Sequence, residues 1–75
     1  MEEIRAIFKQ IGKDEIDEFY EDLVFGGFID SLDIINLVNA IENKFEIEID
    51  LEDITPENFY SFQTIRELIC KSQKK

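Results

Sequence analysis

The sequence predicts an all-α fold: a small four-helix bundle with a long loop between helices 1 and 2 and a short third helix. Three observations predict it. Apolar residues recur at spacings of three and four in the segments beginning at Met1, Asp30 and Phe62. Residues suited to helix caps stand before the later runs, at Asp30, Thr55 and Ser61. The one alternating stretch, Ile47, Ile49 and Leu51 among Glu48 and Asp50, has no second strand to pair with and is predicted to be an extended connector.

The first helix is predicted over Met1 to Ile11, where Ile4, Ile7, Phe8 and Ile11 share a face, and it ends near Gly12, a residue suited to the left-handed position after a helix. From Lys13 to Ile29 the pattern is mixed. Six acids fall between Asp14 and Asp22, and one helical turn through Ile16, Phe19, Tyr20 and Leu23 is the most order expected of this loop. The second helix, Asp30 to Phe45, has the clearest pattern: Ile34, Leu37, Val38, Ile41 and Phe45 project to one side at 100° per residue. Asp30 is its expected N-cap, Asp33 adds acid to the first turn, and Ile29 is placed to pack on Ile34 across the cap. Thr55-Pro56-Glu57 gives cap, N1 proline and first-turn acid in order, with Ile54 and Phe59 placed as a staple, so a short helix is predicted over about Pro56 to Tyr60. Ser61 then caps the last helix. Its apolar stripe is Phe62, Ile65, Leu68 and Ile69, and Lys71, Lys74 and Lys75 favour its negative C-terminal end.

With 75 residues the chain reads as a single domain over residues 1–75, and one of this size removes only about 60% of its surface from water on folding. A lone cysteine, Cys70, and no histidine exclude an internal disulfide and a structural zinc site, which fits a reducing, cytoplasmic setting. Cys70 is expected to be a semi-buried residue of the last helix. No basic, apolar leader is present, and no apolar run approaches the ~20 residues that span a bilayer, so membrane insertion is not expected. Eighteen acids against eight bases give a net charge of -10, a field that repels nucleic acid and speeds encounter with basic partner surfaces. Screening of that charge is expected to raise the melting temperature between low and moderate ionic strength, and an unchanged melting temperature counts against it.

The serine in Phe25-Gly-Gly-Phe-Ile-Asp-Ser-Leu32 poses the functional question. A serine nucleophile needs a base, and the chain has no histidine; there is also no G-x-S-x-G elbow and no glycine-rich phosphate loop with its lysine. Asp50 to Thr55 departs from a calcium loop at its fifth and sixth positions, where Ile54 and Thr55 stand in place of an oxygen ligand and a glycine. Paired carboxylates on so acidic a surface read as a solvated face, and a 75-residue bundle has little room for a water-excluding pocket. An enzyme is therefore not expected. If Asp30 is the N-cap, Ser31 projects from a helix N-terminus where an attached anion is favoured by about 0.3–1 kcal/mol. The Gly26-Gly27 pair leaves it open to a modifying enzyme.

The run from Gly27 through Asp30-Ser31-Leu32 to Phe45, followed by Glu46 to Ile49 and Asp53 to Phe59, closely resembles the acyl carrier protein family, which includes peptidyl and D-alanyl carriers. The likeness covers essentially the whole chain. It implies that Ser31 is the attachment point of 4'-phosphopantetheine, delivered from coenzyme A by a phosphopantetheinyl transferase, with Asp30 as the helix cap. The arm would carry acyl or aminoacyl groups as thioesters between loading enzymes and downstream synthases or transferases with basic surfaces, in a specialised pathway, from a monomeric carrier. An unmodified acidic helical interaction module is the alternative.

The partner face follows from the helical wheel. Opposite the core side of the second helix lie Leu32, Asn36, Asn39 and Asn43, with Asp33 and Glu42 on the flanks and Ile35 on a shoulder. Of these, Leu32, Asp33, Ile35, Asn36, Asn39 and Glu42 are expected to meet partners. In the fatty-acid carriers that the sequence resembles, the positions of Asn36 and Asn43 are usually acidic and that of Asn39 apolar. Three asparagines exchange charge steering for directional hydrogen bonds, which implies a narrower set of partners. The glycine pair is similar to that of peptidyl carriers and Asp30 to that of acyl and D-alanyl carriers, so cargo stays open between an acyl chain and an amino acid.

Overall fold

The computed structural model describes residues 2–73. Met1, Lys74 and Lys75, assigned above to the first and last helices, lie outside the described residues. Among the described residues, three α-helices, α1 (Glu2–Gln10), α2 (Ser31–Phe45) and α3 (Phe62–Gln73), and a single 3-10 turn at Leu51–Asp53 make up the regular structure, and no strand is present.

Each helix stops or starts where the chain supplies partners for its open backbone groups. After α1 the Lys13 N–H donates to the Phe8 carbonyl (2.8 Å) and the Gly12 N–H to that of Lys9 (3.0 Å), a Schellman closure that needs the left-handed Gly12 (φ 84°). α2 closes in the same way through Glu46 (φ 53°) and the Ile47 N–H on the Glu42 carbonyl, although its left-handed residue is not glycine. Ser61 and Thr64 cap α3 reciprocally: the Ser61 N–H donates to Thr64 Oγ1 (3.0 Å) and the Thr64 N–H to Ser61 Oγ (3.4 Å).

α1 packs against both other helices, and the interior between them is filled by Phe8, Phe59 and Phe62, all fully buried, with the Phe8 and Phe62 rings 4.7 Å apart. On α2 the buried residues are Leu37, Val38, Ala40 and Ile41, while Ile34 and Phe45 of the predicted stripe are half-buried at its edges. The long loop is not a loose connection. Ile16, Leu23 and Ile29 enter the core, and the Leu23 N–H donates to the Tyr60 carbonyl (3.1 Å), tying the loop to the segment before α3. Its expected helical turn is reduced to a single hydrogen bond, from the Tyr20 N–H to the Asp17 carbonyl (3.1 Å). Phe19, expected on the same face as Ile16, points into solvent instead.

The short helix expected over Pro56 to Tyr60 is reduced to one turn, in which the Asn58 and Phe59 N–H groups both donate to the Thr55 carbonyl. Its start signals operate, since the Asn58 N–H also donates to Thr55 Oγ1. The turn cannot propagate because the Tyr60 carbonyl is taken by Leu23 and Ser61 already opens α3. The connector from 47 to 50 has no regular structure, with extended backbone at Asp50, Ile49 buried and Leu51 exposed beyond it. Cys70, expected to be semi-buried, is exposed. Ser72 takes the buried position instead, because the stripe through Ile65 and Ile69 continues three residues on, at 72.

Candidate functional site

The turn that delivers Ser31 is built on Leu23. Its carbonyl accepts from both Phe28 (2.9 Å) and Ile29 (3.0 Å), which folds the two glycines into a tight reversal. Gly26 donates to the Asp22 carbonyl at 2.7 Å, and a Cβ at Gly26 would lie only 2.5 Å from that same oxygen. Gly27 has φ 82° with open space around it. The pair is thus a requirement of the turn. Replacing Gly26 by alanine is expected to cost about 1–3 kcal/mol, because backbone must move, and replacing Gly27 about 1 kcal/mol of left-handed strain. Urea unfolding of the two variants checks the order.

From that turn Asp30 enters α2 in an extended conformation and forms a complete capping box. The Asp33 N–H donates to Asp30 Oδ1 at 2.9 Å, and the Asp30 N–H donates to Asp33 Oδ2 at 3.2 Å. The Asp33 amide, chiefly, holds the Asp30 carboxyl below its ordinary value of 3.8, partial desolvation pulls the other way, and the Leu32 amide and Lys13 add smaller downward shifts. A depressed folded value means that Asp30 contributes stability above its unfolded pKa of about 3.9 and loses it as pH falls through the lower folded value. Acid titration of wild type and Asp30→Asn, followed by circular dichroism, is expected to show a steeper loss in wild type below about pH 4.

Ser31 is the first residue of α2 and is exposed. Of the six residues assigned to the partner face, Leu32, Ile35, Asn36 and Asn39 are exposed along α2. The other two have carboxylates engaged within the chain. Asp33 Oδ2 completes the cap and pairs with Lys13 Nζ at 3.5 Å, and Glu42 Oε2 accepts from the Ile49 N–H at 2.9 Å, anchoring the connector that follows α2. Sequence reasoning gave no role to two exposed residues of the delivering turn, Phe25 and Phe28. The Phe28 ring meets Tyr20 edge-on at 5.0 Å. The sequence signal was the aromatic on each side of Gly26-Gly27. No group of side chains that could hold a metal ion occurs among the described residues, and no helix of the described residues is long and apolar enough to cross a membrane.

The structure thus presents an exposed serine at the opening of a capped helix. Comparison with known proteins gives the class. The family described as the phosphopantetheine attachment site matches residues 2–69. The chain belongs to this family, the acyl carrier type of non-catalytic carrier, whose covalent group is 4'-phosphopantetheine and whose members are handled by a phosphopantetheinyl transferase and by partner enzymes. It is also similar to aminoacyl carrier protein 1 of Bradyrhizobium diazoefficiens, 38% identical over 39 residues that cover 52% of this chain and 43% of that protein. The match therefore spans less than half the length of that curated relative. No solved structure matches.

Proposed function

We propose that Ser31 is the attachment point of 4'-phosphopantetheine and that the protein carries acyl or aminoacyl groups to partner enzymes in a specialised biosynthetic pathway. The observation that carries this reading is the exposure of Ser31 at the start of α2, delivered by a glycine turn whose atoms leave open space at Gly27. The residues fit the group. A phosphodiester on Ser31 Oγ would stand at the positive end of α2, with Lys13 held close by through Asp33. Attachment forms a bond between Ser31 Oγ and the arm's phosphate, breaks the pyrophosphate bond of coenzyme A, releases adenosine 3',5'-bisphosphate and passes the hydroxyl proton to a base of the transferase. That base has to come from the transferase, because this chain has no histidine and the carboxylates that flank the serine, Asp30 and Asp33, are engaged in the capping box. When bound, the arm supplies a terminal thiol for thioester linkage of the cargo.

The name of the Bradyrhizobium relative favours an amino acid as cargo, and the asparagines at 36, 39 and 43 favour a restricted set of partners. Intact mass after incubation with coenzyme A and a broad-specificity phosphopantetheinyl transferase is expected to rise by one phosphopantetheine. No rise with several such transferases would leave an unmodified interaction module as the reading. Aminoacyl and fatty acyl loading of the modified protein then separates the cargo classes.

A further inference from the structure

Lys13 is the only base between Lys9 and Lys44, a stretch that holds nine acids, so a cation there runs against the composition around it. Its backbone is fixed on both sides. The Lys13 N–H donates to the Phe8 carbonyl (2.8 Å), and the Lys13 carbonyl accepts from Ile16 (3.2 Å). From just past the end of α1 the side chain reaches the start of α2, where Nζ stands 3.5 Å from Asp33 Oδ2, the two side chains being 31% and 16% exposed. That oxygen also accepts the Asp30 N–H at 3.2 Å, which brings the ammonium beside the backbone that enters Ser31, the next residue. The Asp33 amide is the chief cause of the lowered Asp30 carboxyl, and Lys13 adds to it. Both acids that flank Ser31 thus feel one ammonium.

The pairing is loose. Lys71 Nζ and Asp53 Oδ1 approach to 3.0 Å as a hydrogen bond, whereas the 3.5 Å between Lys13 and Asp33 exceeds the roughly 2.7–2.9 Å of a charge-assisted bond. The capping box does not depend on the pair, because both of its bonds run between Asp30 and Asp33. An ammonium is a compact charge on a flexible stem, free to pass between neighbouring oxygens.

We infer that Lys13 is the counter-ion of the phosphodiester on Ser31, its ammonium turning from Asp33 to the phosphate oxygens once the arm is attached. This rests on Ser31 as the attachment point. Attachment replaces a neutral hydroxyl by a singly negative group beside two carboxylates, a repulsion that the amides of α2 offset only in part. Of the ion pairs among the described residues, only that of Lys13 includes an acid from the first turn of α2. In the unmodified protein Lys13 ties the end of α1 to the start of α2. In the modified protein it holds the root of the arm and neutralises the charge that modification adds.

The test is a double cycle in which wild type and Lys13→Met, each with and without the arm, are unfolded in urea at low salt. Methionine keeps an unbranched stem and removes the charge. Loss of the Asp33 pair weakens the variant in both forms and cancels, leaving the interaction between Lys13 and the arm. Attachment is expected to change the unfolding constant of wild type less than about twofold and to raise that of Lys13→Met at least about threefold, a gap that should shrink at high salt. Lys13→Arg should follow wild type. The phosphorus NMR resonance of the arm gives an independent readout, expected to move in Lys13→Met and to return most of the way in Lys13→Arg. Lys13→Gln is the second neutral variant should methionine fail to fold. Equal effects of attachment in wild type and the neutral variant, or a phosphorus resonance indifferent to residue 13, overturn the inference and leave Lys13 a structural tie, while the attachment reading stands. A folded neutral variant that the transferase cannot modify assigns Lys13 to the encounter with that enzyme and overturns it too. Absence of modification in wild type overturns the attachment reading and the inference with it.

Discussion

Ser31→Ala is expected to abolish attachment of phosphopantetheine while leaving the fold in place. The chemistry is all-or-none: without Oγ no phosphodiester forms, and the neighbouring side chains offer no substitute, since Asp30 is committed to the cap and Leu32 is apolar. The structural cost is small because the hydroxyl takes no part in the capping box, which runs between Asp30 and Asp33. Alanine is the best helix former, so an exposed change at the first position of α2 should stay within about 0.5 kcal/mol of wild type. Intact mass gives the first readout and urea unfolding the second. A variant that is still modified places the arm on another residue. A variant that is unmodified but unfolded says nothing for Ser31, which is why both measurements belong together. Ser31→Thr offers a further control, retaining a hydroxyl on a bulkier and more restricted side chain.

The parts of this site that were legible in the sequence are those written at short range. Asp30 at the head of an apolar stripe was legible as the N-cap and Asp33 as first-turn acid, and the structure goes further by joining the two in a capping box. The buried face of α2 follows from its period. What the wheel could not show is where the chain returns. Glu42 sits on the flank of α2 by angle, yet its carboxylate is taken by an amide seven residues further on, a contact that depends on the course of the connector. The loop was the hardest part for the same reason. Ile16, Leu23 and Ile29 have no common period, and their burial depends on the tertiary course of the loop, which the Leu23 N–H on the Tyr60 carbonyl ties to a position far along the chain. The truncated helix at Pro56 shows local signals overruled: cap and proline started a turn that the demands of Leu23 and Ser61 stopped.

Phe62→Ala is expected to remove most of the stability of the domain, by about 3–5 kcal/mol. Phe62 is the first residue of α3 and is fully buried, with its ring against Phe8 of α1, so it joins two helices at the centre of the core. Its loss removes apolar burial, leaves a cavity and forfeits an aromatic pair worth about 0.5–1.5 kcal/mol beyond area. Rigid neighbours limit collapse into the space, since Phe59 and Ile65 are themselves fully buried. A chain of this length is expected to have only ~4–11 kcal/mol in total, at ~0.05–0.15 per residue, so the variant stands near the threshold of folding at 25 °C. Phe62→Leu, which keeps most of the volume, should cost substantially less. Urea titrations of the three proteins are expected to show the midpoint falling in the order wild type, leucine, alanine, with a similar slope for each. An alanine variant within 1 kcal/mol of wild type would mean that the helices close over the gap. In that case the interior yields to a change of ring size.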